Sequence, residues 1–419
     1  MKYRSDIDGL RSLAIVPVIF YHFNFPFFTG GFLGVDVFFV ISGFLITSLI
    51  SKEIAVGSFS IITFYERRVL RIFPALFAVL IFSIVMGYYC LLPKEFEQLG
   101  NSVAATTLFG SNILFFFQDS YFDSASAFKP LLHTWSLAVE EQFYLLFPIF
   151  LILLNKIKRK NIVFCLIVGA ATLSVLYNIW MMRVDKVAAF YLPMARAWEL
   201  LAGAVVAYNF VPSVHNQRIR DLLGICGIFL IAGSVVFLRE GGDPLLPIAL
   251  WACLGAVLII YSGRVGPTLA SRFLSNPILV YIGKISYSLY LWHWILLVFY
   301  RLEINVTLHL KDKSLLFLAT VVAAMVSTRY VERPFRKPEW VARQRGSTVL
   351  ASAFGFILLF VGVGLSIDIT GGGEARFPPR VTRIASFLEY DDPLSFRTDT
   401  CFLSTNSLDF REYSQETCL

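Results

Sequence analysis

The stretch Arg11-Ser-Leu-Ala-Ile-Val-Pro-Val-Ile-Phe-Tyr-His22 opens the first apolar segment of membrane length. On an α-helix, eleven residues make about three turns, so Arg11 and His22 share one face and lie roughly 16 Å apart along the axis. This places Arg11 at a membrane edge and His22 about halfway across a hydrocarbon core of ~30 Å. An ionisable residue at that depth is costly and indicates function by default. A histidine hydrogen-bonded between helices for packing is the alternative interpretation.

The composition predicts an all-α, polytopic helical membrane protein. The chain has 419 residues, of which 57% are hydrophobic and 16% charged, and its mean hydropathy is +0.69. A soluble core does not require so many separate apolar runs of membrane length. The net charge of +7 does not indicate a nucleic-acid partner, because the basic residues lie in short loops, where the positive-inside rule puts them. The lipid membrane is therefore the expected environment, and the six Cys show no spacing typical of a metal site.

Twelve apolar segments are candidate spans, at 11–28, 33–50, 72–92, 99–117, 135–154, 161–182, 190–210, 221–238, 244–262, 277–300, 314–331 and 348–367. Basic loops such as 51–71 and 155–160 are predicted to be cytoplasmic. The segment 72–92 leads from the first of these loops to the outside. Only one further crossing therefore fits before the second loop. The segment 135–154 is the more continuous candidate, so 99–117 is predicted to be re-entrant or interfacial. The count is ten core transmembrane helices plus an eleventh, with the N-terminus cytoplasmic and the C-terminus extracytoplasmic.

Four regions are predicted along the chain: a membrane domain at 1–335, a cytoplasmic linker at 336–347, an additional transmembrane helix at 348–367 and an extracytoplasmic tail at 368–419. The tail is polar and too short to build its own core. Cys401 and Cys418 lie in it, on the side of the membrane where disulfides persist. We expect these two cysteines to form a disulfide. Free thiols in a disordered end are the alternative.

Costly ionisable residues recur at similar predicted depth in the outer half of the membrane. They are His22, Asp36, Glu140, Glu141, Arg196, Glu199 and His293. A helix bundle tolerates such residues only around a polar cavity, with the charges paired. Arg196 and Glu199, at i and i+3 on one helix face, also fit a purely structural ion pair.

A second cluster, Glu66-Arg67-Arg68-Val-Leu-Arg71, lies on the cytoplasmic side of the predicted topology. Arg68 and Arg71 are at i and i+3, so both can face one anion. Arginine suits phosphate because its planar fork binds bidentately. Ordinary anchoring at the membrane surface is the alternative. Two polar centres on opposite sides of one membrane suggest that a group is passed between them.

Several motifs, in this order, resemble those of acyltransferase family 3. They are Asp6-Ile-Asp8-Gly9-Leu10-Arg11 with His22, Gly34-Val-Asp36-Val-Phe-Phe-Val-Ile-Ser42-Gly43, Arg68–Arg71 with Ile-Phe-Pro74, His133-Thr-Trp135-Ser136 through Glu140-Glu141, Ser286-Tyr287-Ser288 through His293, and Val331-Glu332-Arg333-Pro334. The resemblance implies ten core helices in the bacterial cytoplasmic (inner) membrane. It also implies that acyl-CoA, mostly acetyl-CoA, is the donor substrate, with no permanently bound cofactor. The implied acceptor is a hydroxyl of an extracytoplasmic glycan, such as O-antigen, lipopolysaccharide or peptidoglycan.

The additional helix and tail resemble the branch of this family that carries a fused SGNH-type outer domain, which is expected in cis if the full chain is longer. The Gly-Asp-Ser motif of that domain does not occur in these residues. In this branch, the outer domain is expected to take the acyl group onward.

The resemblance and the depths of the residues together give the expected site. His22 is expected to act as a general base on a hydroxyl, or to accept the acyl group itself. The expected catalytic residues are His22, Arg11, Glu140, Glu141 and His293, with one of the two glutamates orienting the imidazole. The expected donor-binding residues are Arg67, Arg68 and Arg71. The expected acceptor-binding residues are Asp36, His133, Trp135, Arg196 and Glu199. A transporter or flippase with an intramembrane proton or substrate path is the alternative function.

Overall fold

The computed structural model describes residues 3–118, 127–157, 159–208, 210–239, 248–336 and 346–385. Every regular element in these ranges is helical, as predicted. The helices are α1 Ser5–His22, α2 Gly34–Ala55, α3 Ile61–Cys90, α4 Pro93–Thr107, α5 Ser111–Phe117, α6 Thr134–Asn155, α7 Lys160–Val184, α8 Lys186–Tyr191, α9 Pro193–Ala207, α10 Gln217–Phe237, α11 Leu250–Ser262, α12 Leu269–Leu274, α13 Pro277–Lys284, α14 Ser286–Glu303, α15 Leu310–Val326, α16 Arg333–Arg336, α17 Gly346–Ile369 and α18 Pro379–Ala385. Short 3₁₀ turns lie at Gly31–Leu33 and Glu374–Arg376, and a π-helical turn at Ser327–Glu332.

Seven helices of the described ranges are long and apolar enough to cross a membrane, as expected of a polytopic membrane protein. They lie at Gly31–Ala55, Ile61–Cys90, Thr134–Asn155, Asn161–Val184, Gln217–Phe237, Leu310–Arg336 and Gly346–Ile369. The pair α13 and α14, bent by 64°, would make an eighth. The first helix does not qualify on composition, because Asp6, Asp8 and Arg11 lie within its 18 residues. The count of ten core spans plus an eleventh therefore stays a prediction.

The predicted segment 11–28 is not a single helix. The first helix begins at Ser5 and ends at His22. Beyond it, Asn24 and Phe27 have φ angles of 58° and 70°, a left-handed backbone that a right-handed helix cannot continue through. His22 is thus the last residue of α1, whereas the sequence placed it inside a longer helix. Arg11 lies eleven residues earlier, roughly 16 Å along the same helix.

Helices α2 and α9 cross at close range because glycines face backbone at the crossing. A Cβ added at Gly43 would lie 1.8 Å from the carbonyl oxygen of Leu200, and one at Gly203 would lie 2.0 Å from that of Val40. Any side chain at either position would force the helices apart. The close crossing brings the N-terminal halves of both helices together, which places Asp36 beside Arg196.

The segment predicted to be re-entrant forms a helical hairpin. Helix α4 spans 15 residues and ends at a turn in which Phe109 has a φ of 52°. The ring of Phe109 lies 5.6 Å from that of Phe73, about 25 Å along α3 from its end at Cys90. Helix α5 then leads back to α8, where Asn112 donates to the Tyr191 carbonyl at 3.1 Å. Neither arm is among the span-capable helices.

The additional helix predicted at 348–367 is α17, at Gly346–Ile369. It packs antiparallel on α4, with Gly364 against Gly100, and Asn101 donates to Asp368 at 2.7 Å. Most of the predicted linker, at 337–345, lies outside the described residues. So does 386–419, with Cys401 and Cys418, and their disulfide stays a prediction.

Candidate active site

A charged cavity lies between α1, α2, α3, α6 and α14. It encloses about 850 Å³ of empty space, including its open mouth. Five of its lining residues are ionisable and charged at neutral pH in water: Arg11, Arg68, Arg71, Glu140 and Glu141. The cavity thus joins the arginine cluster to the two glutamates, which the sequence placed in separate halves of the membrane.

Within the arginine cluster, Arg68 and Arg71 line the cavity and Arg67 does not. The Arg68 guanidinium lies over the ring of Tyr144, 4.6 Å from its centre. Such stacking fixes the plane of a guanidinium and leaves its N–H edge available. Arg67 points elsewhere, pairs with Glu53 at 2.7 Å and is 54% exposed. The structure therefore separates Arg67 from the donor-binding set that the sequence predicted.

The two glutamates of α6 have different environments. Glu140 accepts a hydrogen bond from Ser42 at 2.5 Å and another from the Tyr144 hydroxyl. Glu141 has its Oε1 buried, and that oxygen has no hydrogen-bond partner among the described residues. A buried carboxylate oxygen without a partner is costly. Glu141 is therefore the residue of the cavity wall best placed to accept a hydrogen bond from a bound molecule.

Tyr290 connects the cavity to a group of histidines. Its side chain lines the cavity, and its hydroxyl donates to the His133 carbonyl at 2.7 Å. Since a carbonyl only accepts, the Ser136 hydroxyl, 2.6 Å away, donates to Tyr290. The Tyr290 ring centre lies 5.5 Å from both the His133 and the His293 ring centres. Tyr290 thus contacts both the cavity and the histidine group.

The contacts of His293 determine which nitrogen of His22 is basic. His293 Nδ1 lies 2.6 Å from the Tyr290 carbonyl and 3.2 Å from that of Leu289. This nitrogen must carry hydrogen, so Nε2 of a neutral His293 keeps its lone pair. His293 Nε2 lies 3.2 Å from His22 Nδ1, which consequently donates to it. Nε2 of His22 retains its lone pair and can act as a base or a nucleophile.

Two further side chains complete this group. Trp294 lies edge-on to His22 with ring centres 4.9 Å apart, and its indole N–H donates to the Lys129 carbonyl at 2.9 Å. His133 is 4% exposed, and its ring centre lies 6.0 Å from that of His293. Neither ring nitrogen of His133 has a hydrogen-bond partner within the described ranges. The cluster therefore contains three imidazoles.

Asp36, Arg196 and Glu199 form a separate buried ion cluster. Arg196 pairs with Asp36 at 2.6 Å and with Glu199 at 3.2 Å. Its guanidinium also lies 5.6 Å from the ring centre of Trp135 and 5.8 Å from that of Phe39. None of the three ionisable residues lines the cavity. This arrangement fits the structural ion pair that the sequence allowed, and the acceptor-binding role of these residues and of Trp135 stays a prediction.

The seven ionisable residues predicted to converge therefore fall into three groups. His22 and His293 are partners, Asp36, Arg196 and Glu199 form the ion cluster, and the two glutamates face the arginines. In the structure His293, and not a glutamate, is the hydrogen-bond partner of His22 Nδ1. The site also includes hydroxyl residues that the sequence did not single out: Ser42, Ser136, Tyr144 and Tyr290. All four lie within the quoted motifs or directly beside them. Their place in these motifs is the sequence feature that could have identified them.

These features define a class: a polytopic helical membrane protein in which Tyr290 lines a charged cavity and packs against a pair of hydrogen-bonded histidines. The family model of acyltransferase family 3, described as an acyltransferase domain, matches residues 4–367. The chain therefore belongs to acyltransferase family 3, which confirms the resemblance. No solved structure matches the chain significantly.

Two similar curated proteins come from Staphylococcus aureus. The chain is 35% identical over 364 residues to the protein named "Putative O-acetyltransferase SAS0844" of strain MSSA476, which covers 80% of this chain and 58% of the relative. It is 33% identical over 361 residues to the O-acetyltransferase OatA of strain NCTC 8325, with the same two shares. The chain thus spans little more than half the length of these relatives.

Proposed function

We propose that the protein is an O-acyltransferase that moves an acyl group, most often acetyl, from acyl-CoA to a hydroxyl of an extracytoplasmic glycan. The continuity of the site carries this proposal. Tyr290 lines the arginine-rich cavity and also contacts the histidine group. A donor with a charged end and a reactive end fits such a site. Family membership and the names of the relatives point to the same reaction.

The arginine end of the cavity is proposed to bind the phosphates of CoA. Arg11, Arg68 and Arg71 all line the cavity, Arg11 being paired with Asp8 at 3.1 Å, and guanidinium groups bind phosphate bidentately. Arg11 and His22 lie on one helix, roughly 16 Å apart. A donor whose phosphates contact the arginines would extend its pantetheine arm along α1 toward the histidines. Glu141 could accept a hydrogen bond from an amide N–H of that arm.

The chemistry is proposed to use Nε2 of His22. In direct transfer, this nitrogen takes the proton of the glycan hydroxyl as its oxygen attacks the thioester carbonyl, and the imidazolium returns that proton to the departing CoA thiolate. In a two-step route, Nε2 attacks the carbonyl first and expels the CoA thiolate, leaving an acyl-imidazolium. The hydroxyl oxygen then attacks this acyl group and releases Nε2, and the hydroxyl proton neutralises the thiolate. In both routes His293 holds the His22 ring in the reactive tautomer.

The proposed orientation follows the loop charges: donor side cytoplasmic, acceptor side outside, in the bacterial inner membrane, with ten core spans plus α17. The relatives are longer than this chain. An SGNH-type outer domain in cis is proposed to receive the acyl group in any longer form. In that form, the glycan would be the final acceptor and not the first.

A transfer assay tests the proposal. Purified protein in lipid nanodiscs is given acetyl-CoA with a radiolabelled acetyl group and a panel of glycan acceptors. Release of free CoA together with label in a glycan, or with hydrolysed acetate, is the expected result. Release of CoA at the rate of empty nanodiscs would contradict the proposal. Transport of glycan by protein in sealed vesicles, with no acetyl release, would favour a flippase instead.

A further inference from the structure

A buried carboxylate outside the cavity connects two walls of the site. Glu332 ends the π-helical turn at Ser327–Glu332, a local form that is frequent at functional sites. The residue is 1% exposed and does not line the cavity. A buried carboxylate is tolerated when its oxygens have partners, and both oxygens of Glu332 have them.

The two oxygens of Glu332 face different elements. Oε1 accepts from the Ser288 hydroxyl in α14 and, at 3.2 Å, from Thr328. Oε2 pairs with Arg336. Arg336 in turn donates from Nη2 to the Arg71 carbonyl at 3.0 Å. Glu332 thus links α14, the helix of Tyr290 and His293, to the turn of α3 that carries the cavity arginines.

The turn of α3 that carries the cavity arginines is followed by Pro74, which lies inside the helix. Proline within a helix lacks an N–H, and its ring clashes with the carbonyl one turn earlier, which bends the helix and loosens its hydrogen bonding. Two carbonyls of this turn accept side-chain hydrogen bonds from other elements. Arg71 accepts from Arg336, and Ile72 accepts from Tyr287 at 3.0 Å. The direction of the cavity arginines therefore depends on contacts from outside α3.

We infer that Glu332 is a positioning residue for donor binding, an inference that rests on the proposed function. Through Arg336 it holds the turn of α3 that precedes Pro74, so that Arg68 and Arg71 face the phosphates of CoA. Because Glu332 does not line the cavity, it contacts neither the donor nor the acceptor. Its loss weakens CoA binding and leaves the chemistry at His22 intact.

The substitution E332Q tests this inference. Glutamine keeps an oxygen for Ser288 and Thr328, but its amide nitrogen cannot accept from Arg336. We expect the Kd for CoA to rise about tenfold, as for a lost charge-assisted contact. We expect kcat at saturating acetyl-CoA to stay within about twofold of wild type, since the change acts on binding. CoA binding to protein in nanodiscs is measured by calorimetry, and folding is checked by the thermal midpoint.

Matched variants separate positioning from general support. S288A removes one bond to the same carboxylate and leaves the ion pair, so the Kd for CoA is expected to stay at the wild-type value. R336M should raise Kd as E332Q does, and its 34% exposed side chain makes misfolding a lesser concern. R336K should recover most of the affinity.

Two pairs of outcomes overturn different statements. Wild-type CoA affinity in folded E332Q and R336M, or a loss of kcat at saturating donor with unchanged affinity, overturns the role of Glu332. Should R71A bind CoA as tightly as wild type, or should wild type not bind CoA at all, the proposed donor site itself is wrong.

Discussion

At the scale of single residues, His22 is the group on which the proposed chemistry depends. His22→Ala is expected to lower acyl transfer by at least about 100-fold, the usual minimum contribution of a general base. Expression and membrane insertion should not change, because the residue ends its helix. The assay is acetyl transfer at matched protein amounts. His215, an exposed histidine outside the helices, provides the control: His215→Ala should keep full activity. Near-normal transfer by His22→Ala would remove His22 from the mechanism.

The paired arginines give a second prediction at this scale. Arg68→Ala and Arg71→Ala should each weaken binding of acyl-CoA by about ten- to a hundredfold, since a hydrogen bond to a charged group contributes roughly 1.5–3 kcal/mol. Replacement by lysine should be only partly tolerated, because a bidentate fork is lost. The measurement is the KM for acetyl-CoA.

Arg67 is the matched control for these two arginines. It is their close neighbour in sequence but pairs with Glu53 outside the cavity. Arg67→Ala should leave the KM for acetyl-CoA at the wild-type value. If Arg67→Ala and Arg71→Ala raise KM equally, the cluster acts as a surface anchor and not as a phosphate site.

Most ionisable residues of the candidate site could be identified from the sequence. Which of them contact each other could not. An ionisable side chain in an apolar segment is visible because its burial is costly. Its partner depends on helix ends and rotations, which apolar runs do not define to within a turn. The predicted helix ran past His22, which placed the imidazole level with Glu140 and Glu141. The helix instead ends at His22, and His293 of α14 meets it there.

At the scale of elements, the hairpin of α4 and α5 gives a test of the fold. Both ends of the hairpin should lie outside, so single cysteines replacing Lys94 and Gln118 in a cysteine-free protein should react with an impermeant maleimide added to intact cells. Lys94 has a side chain 38% exposed, and Gln118 accepts from Lys129 at 2.9 Å, so both sites are polar. A cysteine at Ser58, in a predicted cytoplasmic loop, should react only after permeabilisation. Reaction at only one hairpin position would mean that the segment crosses.

The polar residues that interrupt the segment 99–117 located the hairpin in the sequence. Helix breaks inside continuous apolar segments were not predicted. Thr106, Ser111 and Asn112 are buried, and Thr106 and Ser111 both bond to Thr134. These are contacts that a lipid-facing helix could not supply. By contrast, the segment 277–300 reads as one apolar run, yet it bends by 64° between α13 and α14. Close to the bend, α13 packs tightly on α1, where a Cβ added at Gly283 would lie 1.7 Å from the Asp8 carbonyl oxygen.

At the scale of the whole molecule, the number of membrane crossings depends on short helices. Their length alone does not decide whether they cross. Helices α9 and α11 have 15 and 13 residues, about 20 Å each, less than a full hydrocarbon core. The close crossing of α2 and α9 at Gly43 and Gly203 nevertheless buries α9 inside the bundle. A short helix surrounded by protein needs less length than one that faces lipid.

The orientation of the chain gives the last prediction. Two residues separated by an odd number of membrane crossings lie on opposite sides of the membrane. Between Lys156 and Glu374, both exposed, the sequence predicts seven crossings, an odd number, so the two residues should lie on opposite sides. A cysteine at position 374 should react with an impermeant maleimide in intact cells, and one at position 156 only after permeabilisation. The antiparallel packing of α17 on α4 independently puts Glu374 on the side of Lys94. If positions 374 and 94 react together from outside but 156 does so too, one of the seven helices does not cross, and α9 and α11 are the first to examine.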